Sequence, residues 1–262
     1  MKERIIDFSH YSSVKIGPKI GVCVLQNGDE AREFVANGGI VIGGANNLLL
    51  SPTPPKLGIL GEEFSYIFEE DGLLRVGGRT NSALLFRFAK KSGFGGLEFL
   101  RKIPGTLGGL VRMNAGVKEF CVSRCVKSVV TTSGEFEADK CGFAYRKSGF
   151  DGVVLEAVFS RSVAWNETLE GALTYVRDNQ PQGASFGSVF KNPPNDAAGR
   201  LIEAVGLKGF AKGGCEFSSK HANFLINRGG GVFDEALWLI NEAKRRVRDE
   251  FGVRLECEVV IL

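Results

Sequence analysis

Residues 96–116, Gly-Leu-Glu-Phe-Leu-Arg-Lys-Ile-Pro-Gly-Thr-Leu-Gly-Gly-Leu-Val-Arg-Met-Asn-Ala-Gly, constrain this chain more than any other stretch. Pro104-Gly105-Thr106 and Gly108-Gly109 form a loop that exposes its backbone, and Asn114-Ala115-Gly116 forms a second one shortly after. Where no side chain intervenes, main-chain N–H groups can approach an anion closely, so such loops suit a pyrophosphate. Another loop, Gly43-Gly44-Ala45-Asn46-Asn47-Leu48, interrupts an apolar run between Ile40-Val41-Ile42 and Leu48-Leu49-Leu50. Either loop alone reads as a tight turn. Together they point to a dinucleotide held by backbone amides.

A chain of 262 residues with 44% hydrophobic content can bury a large core, as one large domain or two to three lobes. Its 35 glycines are about twice the usual ~7%, without the proline or serine enrichment that signals disorder, so they serve turns and close approaches. A net charge of +3 suits an anionic small molecule and is too weak for nucleic acid. The six cysteines contain no Cys-x-x-Cys pair, and both histidines, His10 and His221, are far from Cys121 and Cys125, so no metal site is expected. No apolar run approaches the ~20 residues that span a bilayer, and the N-terminus has no signal-like apolar stretch. A cytoplasmic protein with reduced cysteines, acting as a monomer away from membranes, is the simplest expectation.

Strand-like and helical patterns alternate along the chain. Strands are expected over 21–25, 40–42, 48–50 and 73–76, and helices over 29–37 and 81–91, the latter closed by Gly93. From Cys125 to Phe159 short runs of period two predict antiparallel strands at 126–131, 134–138 and 153–159. A helix is expected over 165–180, with Trp165, Leu169, Ala172, Leu173 and Val176 on its buried stripe, and a short one over 201–205. The clearest helix, 234–251, has Asp234 as cap, Gly252 as stop and Leu237, Ile240, Ala243, Val247 and Phe251 buried. Residues 253–262 read as a terminal strand. A boundary falls near 160–165.

The chain lacks Gly-x-Gly-x-x-Gly and Gly-Lys-Ser/Thr, which argues against a Rossmann dehydrogenase and a P-loop NTPase. Gly183-Ala-Ser-Phe-Gly187 matches a nucleophile elbow, with Asp196 and His221 downstream, but Gln180-Pro181-Gln182 precedes it where a strand is needed. A better candidate is Gly187-Ser188-Val-Phe-Lys191-Asn192-Pro193, which gathers a hydroxyl, an ammonium and an amide in a loop. Phe143-Ala-Tyr145-Arg146-Lys-Ser148 places an arginine among short strands. In the terminal segment Arg254, Glu256 and Glu258 share a face opposite Val253, Leu255, Cys257, Val259 and Ile261. Carboxylates there need a partner if buried and are otherwise a solvated edge.

These motifs, in this order over nearly the whole chain, resemble the UDP-N-acetylenolpyruvoylglucosamine reductase family. The match runs through 96–116, Tyr145-Arg-x-Ser148, 187–193, Ala-Gly-Arg-Leu-Ile-Glu…Gly-Leu-Lys-Gly (198–209), Ser219-Lys-His221-Ala-Asn-Phe-Leu-Ile-Asn227 and Leu255-Glu-x-Glu258-Val. The short gap between Arg146 and Ser188 resembles the family's second type, which lacks an inserted tyrosine loop. The chain departs from the family pattern at Ala45 and Asn46, where Gly and Ser are usual, at Val117-Lys-Glu-Phe120, where an aromatic-glycine continuation is usual, and at Val260, where many members carry Arg.

The resemblance implies an α+β, vanillyl-alcohol-oxidase-like (PCMH-like) FAD-binding fold. Its FAD-binding region would be 1–162, in two lobes of roughly 1–52 and 53–162. A UDP-sugar-binding domain would follow at 163–252, and 253–262 would be a terminal strand carrying a catalytic Glu. Non-covalent FAD would lie against Gly43, Gly44, Ala45, Asn46, Asn47 and Leu48, against Pro104, Gly105, Thr106, Gly108 and Gly109, and against Asn114, Ala115 and Gly116, with NADPH as hydride donor. Ser188 would be the general acid, Arg146 and Glu258 would steer the enolpyruvyl carboxylate, and Tyr145, Lys191, Asn192, Lys208 and His221 would contact the UDP-sugar. The implied activity is reduction of UDP-N-acetylenolpyruvoylglucosamine to UDP-N-acetylmuramate in peptidoglycan precursor synthesis. A flavin oxidase of the same fold and a UDP-sugar-binding module without flavin are the competing classes.

Overall fold

A computed structural model describes all 262 residues. Seven helices punctuate the chain: α1 (Phe8–Tyr11), α2 (Gly28–Ala36), α3 (Ser82–Ser92), α4 (Leu107–Arg112), α5 (Glu167–Asp178), α6 (Ala198–Ala204) and α7 (Phe233–Phe251). The chain divides into two compact units. Unit 1 comprises Met1–Arg4, Gly21–Gly44 and Lys56–Asp178; unit 2 comprises Ile5–Ile20, Ala45–Pro55 and Asn179–Leu262.

In unit 1, Lys19–Leu25, Leu57–Leu60 and Ile40–Val41 pair in parallel, with Lys2–Asp7 at the far edge of the same sheet. Phe34 of α2, 1% exposed, packs under it among Cys23, Leu25 and Leu60. The second sheet is antiparallel, in the spatial order 134–137, 126–131, 154–160, 73–77, 67–70. The three strands expected from the period-two runs at 126–159 are present, but burial alternates only in part: Ala157, Val158 and Phe159 are buried in succession. Asn81 caps α3 by accepting from Ala83 N at 2.8 Å, and Gly93 ends it at φ +68°, a conformation glycine adopts without penalty.

Helix α5 belongs to this unit and differs from its expected face. Leu173 is buried, with Trp165, Leu169 and Val176 packed on the same core, but Ala172 is exposed and Glu170 takes the buried stripe. Glu170 tolerates that position because Lys90, Arg101 and Trp165 Nε1 all donate to its carboxylate.

Unit 2 is built on an antiparallel sheet in the order 184–188, 224–227, 215–217, 211–212. None of these strands is expected from the sequence, because each is short and only half alternating. Helix α7 covers the sheet with Ala236, Leu239, Ile240, Ala243 and Val247, while Leu237 is only half-buried and Phe251 exposed. Val232, rather than Asp234, is its N-cap; the Glu235 carboxylate accepts from Val232 N at 3.2 Å and from Gly214 N at 3.0 Å, so the acidic residue one position later serves the helix start. Gly252 at φ +67° ends it as expected.

The terminal segment is not the continuous strand expected over 253–262. Only Val260–Ile261 forms a strand, in parallel with Leu48–Leu49, and Cys257 bridges Phe190. The alternation survives: Arg254 and Glu256 are exposed and Glu258 half-buried, against buried Leu255 and Val259.

Candidate functional site

In unit 1 the loops that looked like separate anion cradles come together. Thr106 is the N-cap of α4, and a Cβ added to Gly43 would stand 2.4 Å from Thr106 Oγ1 and 3.9 Å from Gly109 N. Gly43 therefore lets the Thr106 hydroxyl pack closely against the loop backbone, beside the Gly109 N–H, one of the first-turn N–H groups that a short helix cannot satisfy internally. The neighbouring donors are spent: Leu107 N donates to Thr80 O and Gly108 N to Gly78 O, both at 2.8 Å. Pro104 and Gly105 (φ +132°) lead into this turn, and Gly105 O accepts from Ser82 N at 2.9 Å. The donors and the absent Cβ fit a phosphate group.

Other residues of the long motif serve the fold. Asn114 is 6% exposed at φ +41°; its side chain donates to Ala144 O at 3.1 Å and accepts from Ser123 N at 3.0 Å. Ala115 N donates to Leu110 O, and a Cβ on Gly116 would lie 2.1 Å from Phe120 O across the 116–121 hairpin. Sequence reasoning gave no role to Glu98 or Arg112. Glu98 is 2% exposed and accepts from Gly96 N and Asn166 N at 2.8 and 2.9 Å. Arg112 stacks on Phe150 at 4.3 Å and donates to Phe150 O.

The 143–148 island folds back onto this loop. Ala144 and Lys147 bridge each other, so Tyr145 and Arg146 occupy a turn tip. Arg146 sits at φ +55°, strained for a side-chain-bearing residue, and its guanidinium lies 5.3 Å over the exposed Tyr145 ring and donates to Gly116 O at 3.2 Å. Ser148 Oγ donates to Arg112 O. Residues 30 apart in sequence (Gly116 and Arg146) thus share one surface.

Unit 2 holds the remaining candidates. Ala45, 3% exposed, adopts φ +51°, the left-handed region where the family pattern has glycine. Its neighbours' side chains turn to protein acceptors: Asn46 Nδ2 donates to Ser13 Oγ, and Asn47 Nδ2 to Glu258 O at 2.8 Å. What this loop can offer an anion is its backbone. Leu48 pairs with Val260.

Ser188 ends the strand 184–188 opposite Phe224, so the loop expected from Gly187 onward begins two residues later, at Val189. Gly187 at φ +84° turns the chain there, and its N–H donates to Ser185 Oγ at 3.0 Å. Asn223, 3% exposed, grips the next two residues: Val189 N donates to Asn223 O, Phe190 N to Asn223 Oδ1, and Asn223 Nδ2 to Phe190 O. Lys191 pairs with Glu256 in side chain and backbone. Asn192 Oδ1 accepts from Ala198 N at 3.0 Å and so caps α6.

His221 packs against Gly199 of α6, whose added Cβ would lie 2.9 Å from the ring, and its Nδ1 accepts from Asn223 N at 3.2 Å. Burial, reinforced by the Lys208 charge, holds it below the usual histidine range, so the ring is neutral at pH 7. Lys208 also pairs with Glu203 at 2.9 Å. The hydrolase constellation does not form. Ser185 is engaged by Gly187, and Asp196 by Arg200 and Ala197 N, which hold its carboxyl at about 2. Glu258 N donates to Val189 O at 2.8 Å, directly beyond Ser188.

No helix is long and apolar enough to cross a membrane, and no three His, Cys, Asp or Glu residues cluster as metal ligands.

Residues 179–262 match the family profile of the UDP-N-acetylenolpyruvoylglucosamine reductase C-terminal domain, which begins where the last segment of unit 2 begins. The UDP-N-acetylenolpyruvoylglucosamine reductase of Campylobacter jejuni (strain RM1221) is 48% identical over 98% of this chain and all of the relative. That of Helicobacter pylori (strain ATCC 700392 / 26695) is 45% identical over the whole of both. The crystal structure of UDP-N-acetylenolpyruvylglucosamine reductase from Thermus caldophilus superposes with a TM-score of 0.84 at 29% identity, covering 100% of this chain and 99% of that one. The α+β class and the fold expected from the sequence are those of this structure.

Proposed function

Because the chain belongs to the UDP-N-acetylenolpyruvoylglucosamine reductase family, we propose that it reduces UDP-N-acetylenolpyruvoylglucosamine to UDP-N-acetylmuramate for peptidoglycan precursor synthesis, with non-covalent FAD and NADPH. The full-length identity to the Campylobacter jejuni enzyme carries the reading of the reaction. The cradle at Gly43, Thr106 and Gly109 supports a phosphate-bearing cofactor in unit 1, and the backbone of residues 44–48 would extend its grip. When bound, FAD would supply the hydride chemistry for reducing the enolpyruvyl double bond, with NADPH as the hydride source.

The chain's own residues supply polarity and a proton. As hydride adds, charge develops next to the substrate carboxylate, and the Arg146 guanidinium stabilises it electrostatically. The Ser188 hydroxyl, half-buried and held in place through Val189 and Asn223, donates a proton to the α-carbon. A serine is a weak acid, so the basicity of the developing carbanion drives the transfer. Glu258 orients the carboxylate through a bridging water that donates to both groups. Lys191, Asn192, Lys208, His221 and Tyr145 provide binding contacts. For the first four, those contacts come in addition to the internal bonds described above.

The test separates the half-reactions. Purified protein should be yellow, and NADPH should reduce its flavin once without the UDP-sugar and be consumed in continuous turnover only when the UDP-sugar is added. Ser188→Ala should leave flavin reduction by NADPH intact and slow reoxidation by the enolpyruvyl substrate ~10²–10⁴-fold, the worth of a positioned acid. Equal slowing of both half-reactions would make Ser188 a structural residue. A colourless protein that binds the UDP-sugar would favour the flavin-free module.

A further inference from the structure

One side chain in the first glycine loop reaches to the C-terminal segment. Asn47 Nδ2 donates to Glu258 O at 2.8 Å, Val260 N donates back to Asn47 O at 3.0 Å, and Leu48 and Leu49 pair in parallel with Val260 and Ile261. On its other side, the peptide at 258 is fixed by Glu258 N and Val259 N donating to Val189 O, next to Ser188. Residues 258–260 are therefore clamped between the loop that begins at Gly43 and the strand end at Ser188. They carry no regular strand of their own before Val260, so these bonds help fix the backbone from which the Glu258 side chain leaves.

From this geometry we propose that Asn47 is a positioning residue for Glu258, and that it couples occupancy of the glycine loop to the placement of that carboxylate. The inference rests on the reading of residues 43–48 as a cofactor loop. Binding that rigidifies the loop orders Glu258 through the Asn47 amide, and the coupling is reciprocal. Asn47 serves the reaction through another residue. Its own donor is committed to a main-chain carbonyl.

Hydrogen exchange and a double-mutant cycle test this on the full chain. In wild-type protein, adding FAD should slow amide exchange in peptides covering 256–262. In Asn47→Ala that slowing should be absent, and exchange there should be about 2- to 10-fold faster even in the apoprotein, the equilibrium worth of one hydrogen bond. In the reoxidation half-reaction, Asn47→Ala should cost about 2- to 10-fold in rate with wild-type Glu258 and less than about twofold in a Glu258→Ala background, because the effect runs through Glu258. The same factor in both backgrounds, or FAD protection of 256–262 that persists in Asn47→Ala, overturns the proposal. If Asn47→Ala retains no flavin, Asn47→Asp, of the same shape but with no N–H to donate, is assayed in excess FAD. Should the wild-type chain fail to quench FAD fluorescence, the cofactor reading fails. The apoprotein exchange comparison then still decides whether Asn47 orders 256–262.

Discussion

Glu98 lies in the middle of the glycine-rich motif, yet its structure assigns it to the fold. Both carboxylate oxygens are committed, Oε2 to Gly96 N at 2.8 Å and Oε1 to Asn166 N at 2.9 Å, and the residue is 2% exposed. It therefore ties the entry of the motif to the start of α5, 68 residues away. Glu98→Ala removes two charge-assisted bonds and leaves two N–H groups without partners. At ~1–3 kcal/mol for each orphaned donor, with water admitted to part of the gap, about 3–4 kcal/mol is expected. Glu98→Gln keeps an acceptor for one N–H and turns an NH₂ toward the other, which costs roughly half as much.

The assay is urea unfolding of the apoprotein, so that no ligand contributes. The chain has two tryptophans, Trp165 beside Asn166 in unit 1 and Trp238 in unit 2. In a Trp238→Phe background, fluorescence follows the unit that contains Glu98. At ~2–4 °C per kcal/mol for a chain approaching this size, Glu98→Ala should also melt roughly 6–16 °C lower. A loss under 1 kcal/mol, or equal losses for Gln and Ala, would refute the clamp.

Gly116→Ala should destabilise the apoprotein by ~1–3 kcal/mol, because its Cβ would strike the Phe120 carbonyl, a backbone atom that cannot step aside. Gly109→Ala, whose Cβ would meet nothing nearer than 3.8 Å, should leave apoprotein stability within ~0.5 kcal/mol and weaken FAD binding; a fluorescence titration beside a melting curve checks both. Burial alone would raise Glu170, but the donors Lys90, Arg101 and Trp165 outweigh it and hold its carboxyl below the ordinary 4.5. Its contribution is thus present above pH 4.5 and lost as the pH falls through the lowered folded value, so acid unfolding of unit 1 should flatten in Glu170→Gln.

The sequence disclosed elements wherever local chemistry decides them. Gly93 and Gly252 stop their helices as expected, each in the left-handed conformation. The terminal segment keeps its alternation even though most of it pairs with nothing as a strand. What escaped were features set by distant partners. Glu170 reads as the polar side of α5 until Lys90 and Arg101, on other elements, are brought to it. The sheet of unit 2 joins short strands whose partners lie up to 43 residues apart (Ala184 and Asn227), and no two-residue periodicity of useful length marks them. Asn223 looks like a motif letter. Only the fold shows it gripping Val189 and Phe190, the latter 33 residues away.

The candidate site was legible as a set of positions and much less so as a set of roles. Asn46, Asn114, Asn192, Lys191 and Lys208 were read as ligand contacts from residue type and motif, and each has a polar partner inside its own unit. Such a residue can still touch a ligand, but removing it perturbs the protein before any ligand arrives. Asn192→Ala, for example, uncaps α6, which alone costs ~0.5–2 kcal/mol. Ser188 differs, because its Oγ has no hydrogen bond within the chain while the backbone beyond it is pinned by Asn223 and Glu258. A free hydroxyl on a fixed backbone is what a proton donor requires, since the pinned main chain spares the reaction the cost of ordering it. The two kinds of residue separate in the apoprotein: loss of Asn192 lowers stability there, and loss of the Ser188 hydroxyl acts only once substrate is bound.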